Sequence, residues 1–99
     1  LQMHSFVYYG FLPMKKGRQT LFNSWRDENR TIIFYESPHR IIKTLEQIYG
    51  ILGDSWKVVI ARELTKIHEE ILRGSFKEII GHFKNTQTKG EFVILLQKN

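Results

Sequence analysis

Two short apolar runs constrain this chain most, because each ends abruptly in a knot of charged and turn-forming residues. They are Thr31-Ile-Ile-Phe-Tyr35 into Glu36-Ser-Pro-His-Arg40, and Lys57-Val-Val-Ile-Ala61 into Arg62-Glu-Leu-Thr-Lys66. Both runs are rich in β-branched and aromatic residues and lack a helical period, which predicts strands buried on both faces. The stretch between them reads as a helix. Strand, helix, strand within about thirty residues is a βαβ unit, whose crossover makes the strands parallel and brings both exits to one edge of the sheet. Ligands favour that edge.

The intervening helix is well marked at both ends. Ser37 suits the N-cap, Pro38 the first helical position and Gly50 the stop, while Ile41, Ile42, Leu45, Ile48, Tyr49 and Leu52 recur at intervals of three and four. Upstream, Phe6 to Phe11 reads as a strand closed by Leu12-Pro13. A helix then carries Leu21, Phe22 and Trp25 on one face and Lys15, Arg18 and Gln19 elsewhere, with a loop from Asp27 to Arg30. Downstream, Glu69 to Arg73 is a short exposed strand ended by Gly74. Ser75 and Glu78 match a capping box, Phe76, Ile79, Ile80 and Phe83 form a narrow helical stripe, and Glu91 to Leu96 is a last strand after Lys89-Gly90. The elements amount to one mixed sheet with helices packed on it, of α/β or α+β class. A ferredoxin-like split βαβ is one arrangement compatible with this order.

At 99 residues the chain has room for one core around one sheet, and little room for a complete enzyme with a cofactor cleft. With no cysteine, disulfides, thiolate metal sites and a cysteine nucleophile are excluded, and a reducing cytoplasm is compatible. No segment approaches a membrane span, and the residues after Met3 do not form a signal peptide. The formal charge of +5 sits partly in Lys15, Lys16 and Arg18. That bias favours polyanions, although charge alone does not name one.

Chemistry concentrates at the two knots. The unpaired N–H groups at the start of the central helix can hold a carboxylate or phosphate, with His39 and Arg40 as reinforcement. Equally, Ser37-Pro38 can simply start a helix while Arg40 pairs with Glu36 or Glu63. Arg62 to Lys66 joins both charge signs to a hydroxyl where a strand surfaces, and solvated ion pairs would explain the same residues. His4, His39, His68 and His82 lack metal spacing, and no Gly-x-Gly-x-x-Gly or Walker pattern occurs. No metal is assigned.

Several ordered motifs together are more specific than any one of them. Gly10-Phe-Leu-Pro13 followed by Lys15, Lys16 and Arg18, then Phe34-Tyr-Glu-Ser-Pro-His-Arg40, Ala61-Arg-Glu-Leu-Thr-Lys66 and Lys89-Gly-Glu-Phe-Val93 resemble the bacterial ribosomal RNA small subunit methyltransferase I family over almost the whole chain. Those enzymes fall among the tetrapyrrole methylase-like, class III methyltransferases that use S-adenosyl-L-methionine. The resemblance implies the C-terminal half of a two-domain cytoplasmic enzyme that methylates a cytidine ribose 2′-hydroxyl in small-subunit ribosomal RNA. It implies a homodimer as well, and partners that include the 30S subunit and an N-terminal half carrying the glycine-rich cofactor loops. On this reading the 99 residues are inactive alone. Glu63, Lys66 and His39 become candidates for handling the hydroxyl proton, and Leu64 and Thr65 plausible cofactor contacts. Arg40 and Arg62 become holders of RNA phosphate or the cofactor carboxylate, with Lys15, Lys16 and Arg18 extending the RNA surface. A tetrapyrrole-methylating sibling and a noncatalytic basic RNA-binding module are the alternatives.

Overall fold

The structure, a computed structural model, describes residues 5–63, 69–85 and 90–99, and at positions 63 and 69 the backbone alone. Among the described residues five strands, β1 (Phe6–Phe11), β2 (Thr31–Glu36), β3 (Trp56–Glu63), β4 (Glu69–Gly74) and β5 (Glu91–Lys98), form one sheet in the order β1-β2-β5-β3-β4. β1 and β2 are parallel, whereas β5 runs antiparallel to both β2 and β3, so the sheet is mixed. Three helices, α1 (Arg18–Ser24), α2 (Ile41–Leu52) and α3 (Phe76–Lys84), accompany it, with a 3-10 turn at Trp25–Asp27.

The predicted crossover is present with one change. β2 and β3 are parallel, but β5 lies between them, so their exits share an edge at a separation of two strand spacings, roughly 9 to 10 Å. A ferredoxin-like sheet would insert β4 there, and this sheet does not.

Helix burial explains the layer. Phe22 and Trp25 from the first helical segment, Ile41, Leu45 and Ile48 from α2, and Phe76, Ile79 and Phe83 from α3 are buried against Ile32 and Phe34 of β2, Val58 and Ile60 of β3, and Phe92, Ile94 and Leu96 of β5. Burying each such side chain contributes about 1.5 to 3 kcal/mol, so this interface dominates the stability of the fold. The capping box of α3 is formed as predicted. Ser75 Oγ accepts from the Glu78 N–H and the Glu78 carboxylate accepts from the Ser75 N–H.

Three expectations are corrected. Ser37 is not the N-cap of α2: residues 38–40 make a turn closed by the Arg40 N–H on the Ser37 carbonyl, and the helix starts at Ile41. Gly50 is not the stop. The helix continues to Leu52, and Gly53 at φ 77° turns the chain, because a left-handed residue after the last turn is sterically cheap only without a Cβ. The central strands were expected to be buried on both faces, but among the described residues only the helix side is covered. On the other side Ile33, Tyr35, Ala61, Val93 and Leu95 are half-buried, and Tyr8, Phe11 and Ile71 are more than half exposed.

Candidate functional site at the strand ends

Register places one residue from each of four strands in a single row at the shared edge: Glu36 pairs with Phe92, Phe92 with Arg62, and Arg62 with Glu70. By strand alternation this row lies on the helix side, one step beyond Phe34, Ile94 and Ile60. It is where the hydrophobic core gives way to charge.

Glu36 is 3% exposed and serves as a hub. Its Oε1 accepts from the Ser37 N–H at 2.8 Å and from Arg40 Nε at 3.2 Å, and its Oε2 accepts from Thr44 Oγ1 at 2.6 Å. Arg18 joins this group from α1. Its Nη2 donates to Thr44 Oγ1 at 2.6 Å and lies 3.9 Å from Glu36 Oε2, its Nη1 donates to the Pro13 carbonyl at 2.8 Å, and its Nε donates to Gln47 Oε1 at 2.9 Å. Burial pushes the Arg18 guanidinium below its usual pKa, with the Glu36 carboxylate opposing that shift and Arg40 adding to it. Glu36 therefore fills, with the chain's own carboxylate, the space before α2 that the sequence offered to an external anion.

Arg62 contrasts with it. The residue is 7% exposed, its guanidinium sits 5.9 Å from the centre of the Phe92 ring, and its Nη2 is 2.8 Å from Glu70 Oε1, with angles outside those of a hydrogen bond. Its Nε and Nη1 are buried and have no hydrogen-bond partner among the described residues. Desolvated donors of a cation are costly unless an acceptor arrives, so this side chain is chemically prepared for one. An open cleft of about 380 Å³ covers the edge, lined by Tyr35 and Glu36 from β2, Ala61 and Arg62 from β3, and Glu91 and Phe92 from β5.

The structure thus gathers Arg18, Arg40 and Glu36 around the first turn of α2 and puts Arg62 two strands away on the same row. Arg18, expected on an RNA-facing surface, directs its donors inward instead. His39, Lys15 and Lys16 are exposed, the first in the turn before α2 and the lysines in the turn before α1. Leu64, Thr65 and Lys66 lie outside the described residues, as does the side chain of Glu63. Sequence reasoning missed Thr44, which is fully buried and bridges Glu36 to Arg18. Its signal was available: a lone hydroxyl on an otherwise apolar helical stripe.

With this geometry in hand, relatives narrow the reading. The chain is 46% identical over 91 residues to ribosomal RNA small subunit methyltransferase I of Thermotoga maritima, a match covering 92% of the chain and 40% of that protein. The same enzyme of Synechocystis is 44% identical over 92 residues, covering 92% of the chain and 33% of the relative. That of Bacillus subtilis is 41% identical over 93 residues, covering 93% and 32%.

The chain is homologous to a segment of that enzyme.

It spans 32 to 40% of the length of these methyltransferase I relatives. No protein-family model matches it. Its fold is that of the tetrapyrrole methylases. A cobalt-precorrin-4 methyltransferase superimposes with a TM-score of 0.66 at 16% identity, over 96% of this chain and 41% of that one. The uroporphyrin-III C-methyltransferase of Thermus thermophilus gives 0.62 at 11%, over 96% and 40%. Among the described residues no helix is long and apolar enough to cross a membrane.

Proposed function

We propose that these residues are the C-terminal half of a two-domain, cytoplasmic, S-adenosyl-L-methionine-dependent enzyme that methylates a cytidine ribose 2′-hydroxyl in small-subunit ribosomal RNA, working as a homodimer on the 30S subunit. The observation that carries this reading is the identity of more than 40% to ribosomal RNA methyltransferases across over nine tenths of the chain. It favours RNA over a tetrapyrrole, since the tetrapyrrole enzymes share only 11 to 16% of their residues with it.

The residues present suit the cofactor in one respect: the unpartnered Nε and Nη1 of Arg62 offer donors for a carboxylate. Bound there, S-adenosyl-L-methionine would supply an electrophilic methyl group on a sulfonium. This chain's part is to position. Arg62 is assigned to the cofactor cleft by these donors, and Leu64 and Thr65 are assigned as cofactor contacts by the motif they belong to. Arg40, anchored to Glu36 through Nε, and the exposed Lys15 and Lys16 attract RNA phosphate. Glu63, Lys66 and His39 are the groups for removing or polarising the hydroxyl proton, because a ribose hydroxyl is a weak nucleophile until it loses that proton. Arg18 supports the site by holding the first turns of α1 and α2 together.

The test is methyl transfer by the enzyme reconstituted with its N-terminal half, using 30S subunits and radiolabelled cofactor. Transfer to small-subunit RNA, weakened by Arg62→Ala and Lys66→Ala, is the expected result. No transfer ends the functional reading. Unchanged transfer in both variants ends the assignment of the site.

A further inference from the structure

We propose that Glu70 is a positioning residue: its carboxylate, standing behind Arg62 and away from the cleft, fixes the Arg62 guanidinium so that the remaining donors are kept for the carboxylate of the methyl donor. The proposal rests on the reading of the cleft as a cofactor site and adds a residue to which that reading gives no part.

The arrangement follows from register. Glu70 is the β4 partner of Arg62, so the two side chains leave the sheet on the same, helix-bearing face. On the opposite flank β5 pairs Arg62 with Phe92. The cleft at the strand ends is lined by Arg62 and Phe92 and, among the described residues, not by Glu70. Glu70 therefore acts on a ligand in the cleft only through the guanidinium. Its Oε1 lies 2.8 Å from Arg62 Nη2, the one ion pair that Arg62 makes among the described residues.

Two unlike neighbours hold the guanidinium. Phe92 is fully buried and packs edge-on against Phe83, with ring centres 5.1 Å apart at 72°, so the aromatic side of the slot is fixed by the core. The guanidinium carbon is 5.9 Å from the centre of that ring. Glu70 sits on the edge strand with its side chain 34% exposed. A ring quadrupole attracts a cation less than a full negative charge does, so in a desolvated setting the carboxylate decides where the head group rests.

The geometry of the pair separates holding from filling. Glu70 meets Nη2 alone, while Nε and Nη1 are buried without a partner among the described residues. Glu36 is the opposite case, since both of its oxygens accept, from the Ser37 N–H, Arg40 Nε and the Thr44 hydroxyl. An ion pair built for stability alone gains most from a bidentate fork, which is not the geometry present. A contact at one terminal nitrogen balances part of the charge, opposes rotation of the side chain out to water, and leaves donors for a second carboxylate.

Exchange of the Arg62 Nε–H with water can be followed by NMR without any cofactor. In the 99-residue chain that signal, assigned by its loss in Arg62→Met, should exchange slowly. Glu70→Gln, which keeps the shape and removes the charge, should speed the exchange by about tenfold or more. In the enzyme reconstituted with its N-terminal half, calorimetry with S-adenosyl-L-methionine should show Glu70→Gln binding about tenfold more weakly, with Glu70→Asp restoring most of the loss. The cofactor KM should rise by the same factor while kcat stays within about twofold, because the contact serves ground state and transition state alike. In an Arg62→Met background, Glu70→Gln should change affinity by less than about twofold. Unchanged exchange, unchanged affinity, or an affinity loss that persists without Arg62 each overturns the proposal. Absence of cofactor binding by the unsubstituted enzyme is a different failure: it removes the cofactor reading and the ligand named here, while the exchange measurement still decides whether Glu70 holds Arg62.

Discussion

The two ends of the central crossover carry buried charges of opposite kind, and their surroundings differ. At the end of β2, Glu36 is satisfied: a backbone N–H, a threonine hydroxyl and an arginine Nε all donate to it. At the end of β3, Arg62 has, among the described residues, one charge contact to Glu70 and two buried donor atoms without acceptors. A network with every partner in place rigidifies a fold, whereas an incomplete one marks a position that stability alone does not account for. The first corner builds the scaffold. The second leaves a buried cation short of acceptors among the described residues.

The sharpest way to break this contrast is Glu36→Ala. It removes the acceptor of the Arg40 Nε, the Thr44 hydroxyl and the Ser37 N–H at once and the counter-charge of the buried Arg18, and urea unfolding should show a loss of about 3 kcal/mol or more. A loss below about 1 kcal/mol would mean that water replaces the carboxylate and that the two corners are alike. Ser75→Ala, which removes the capping hydroxyl of α3 far from both corners, should cost about 1 kcal/mol and supplies the scale for an ordinary local interaction. Arg62→Met should fall below that scale. It keeps an apolar stem on Phe92 and removes two unsatisfied donors, so stability should change by less than about 1 kcal/mol while methyl transfer by the reconstituted enzyme drops.

The smallest effect is expected at the exposed Glu28–Arg30 pair. Arg30 donates hydrogen bonds to the Glu28 carboxylate and brings its pKa down to about 2 from 4.5. A carboxyl with a depressed folded-state pKa lends stability above its unfolded value and loses it as pH falls from about 4.5 to about 2. Screening by solvent makes that contribution small, within roughly 0.5 kcal/mol. Arg30→Ala should return the Glu28 titration, followed by NMR, toward the ordinary carboxylate range. The capping carboxylate of Glu78 is also lowered, chiefly by the Ser75 N–H, so α3 should fray in the same direction of pH, losing its cap below the ordinary glutamate range.

Much of the fold was legible because local patterns and tertiary packing agree. Strands occur at the five places where they were expected, the two central ones read from their β-branched runs, and the Ser75–Glu78 box starts α3 because reciprocal capping needs only four residues of chain. The start of α2 was misread for a physical reason. Ser37 and Pro38 satisfy local rules for a helix start, but Glu36 captures the Ser37 N–H and Thr44 hydroxyl, and the chain spends three residues in a turn first. The inward direction of Arg18 was equally hidden, since its partners Thr44 and Gln47 are 26 and 29 residues away. Helical spacing shows which face a cation leaves from, not what lies across it.

The sequence by itself determined the order of the elements and the likeness to the methyltransferase I enzymes, because periodicity and ordered motifs are properties of neighbouring residues. Only the tertiary structure decided that β5 separates the two corners, that Glu36 is spent on the scaffold while Arg62 is not, and that one apolar face stays open. Those are matters of which distant strands and helices meet, and strand order is set by the packing of the whole sheet rather than by any stretch of it.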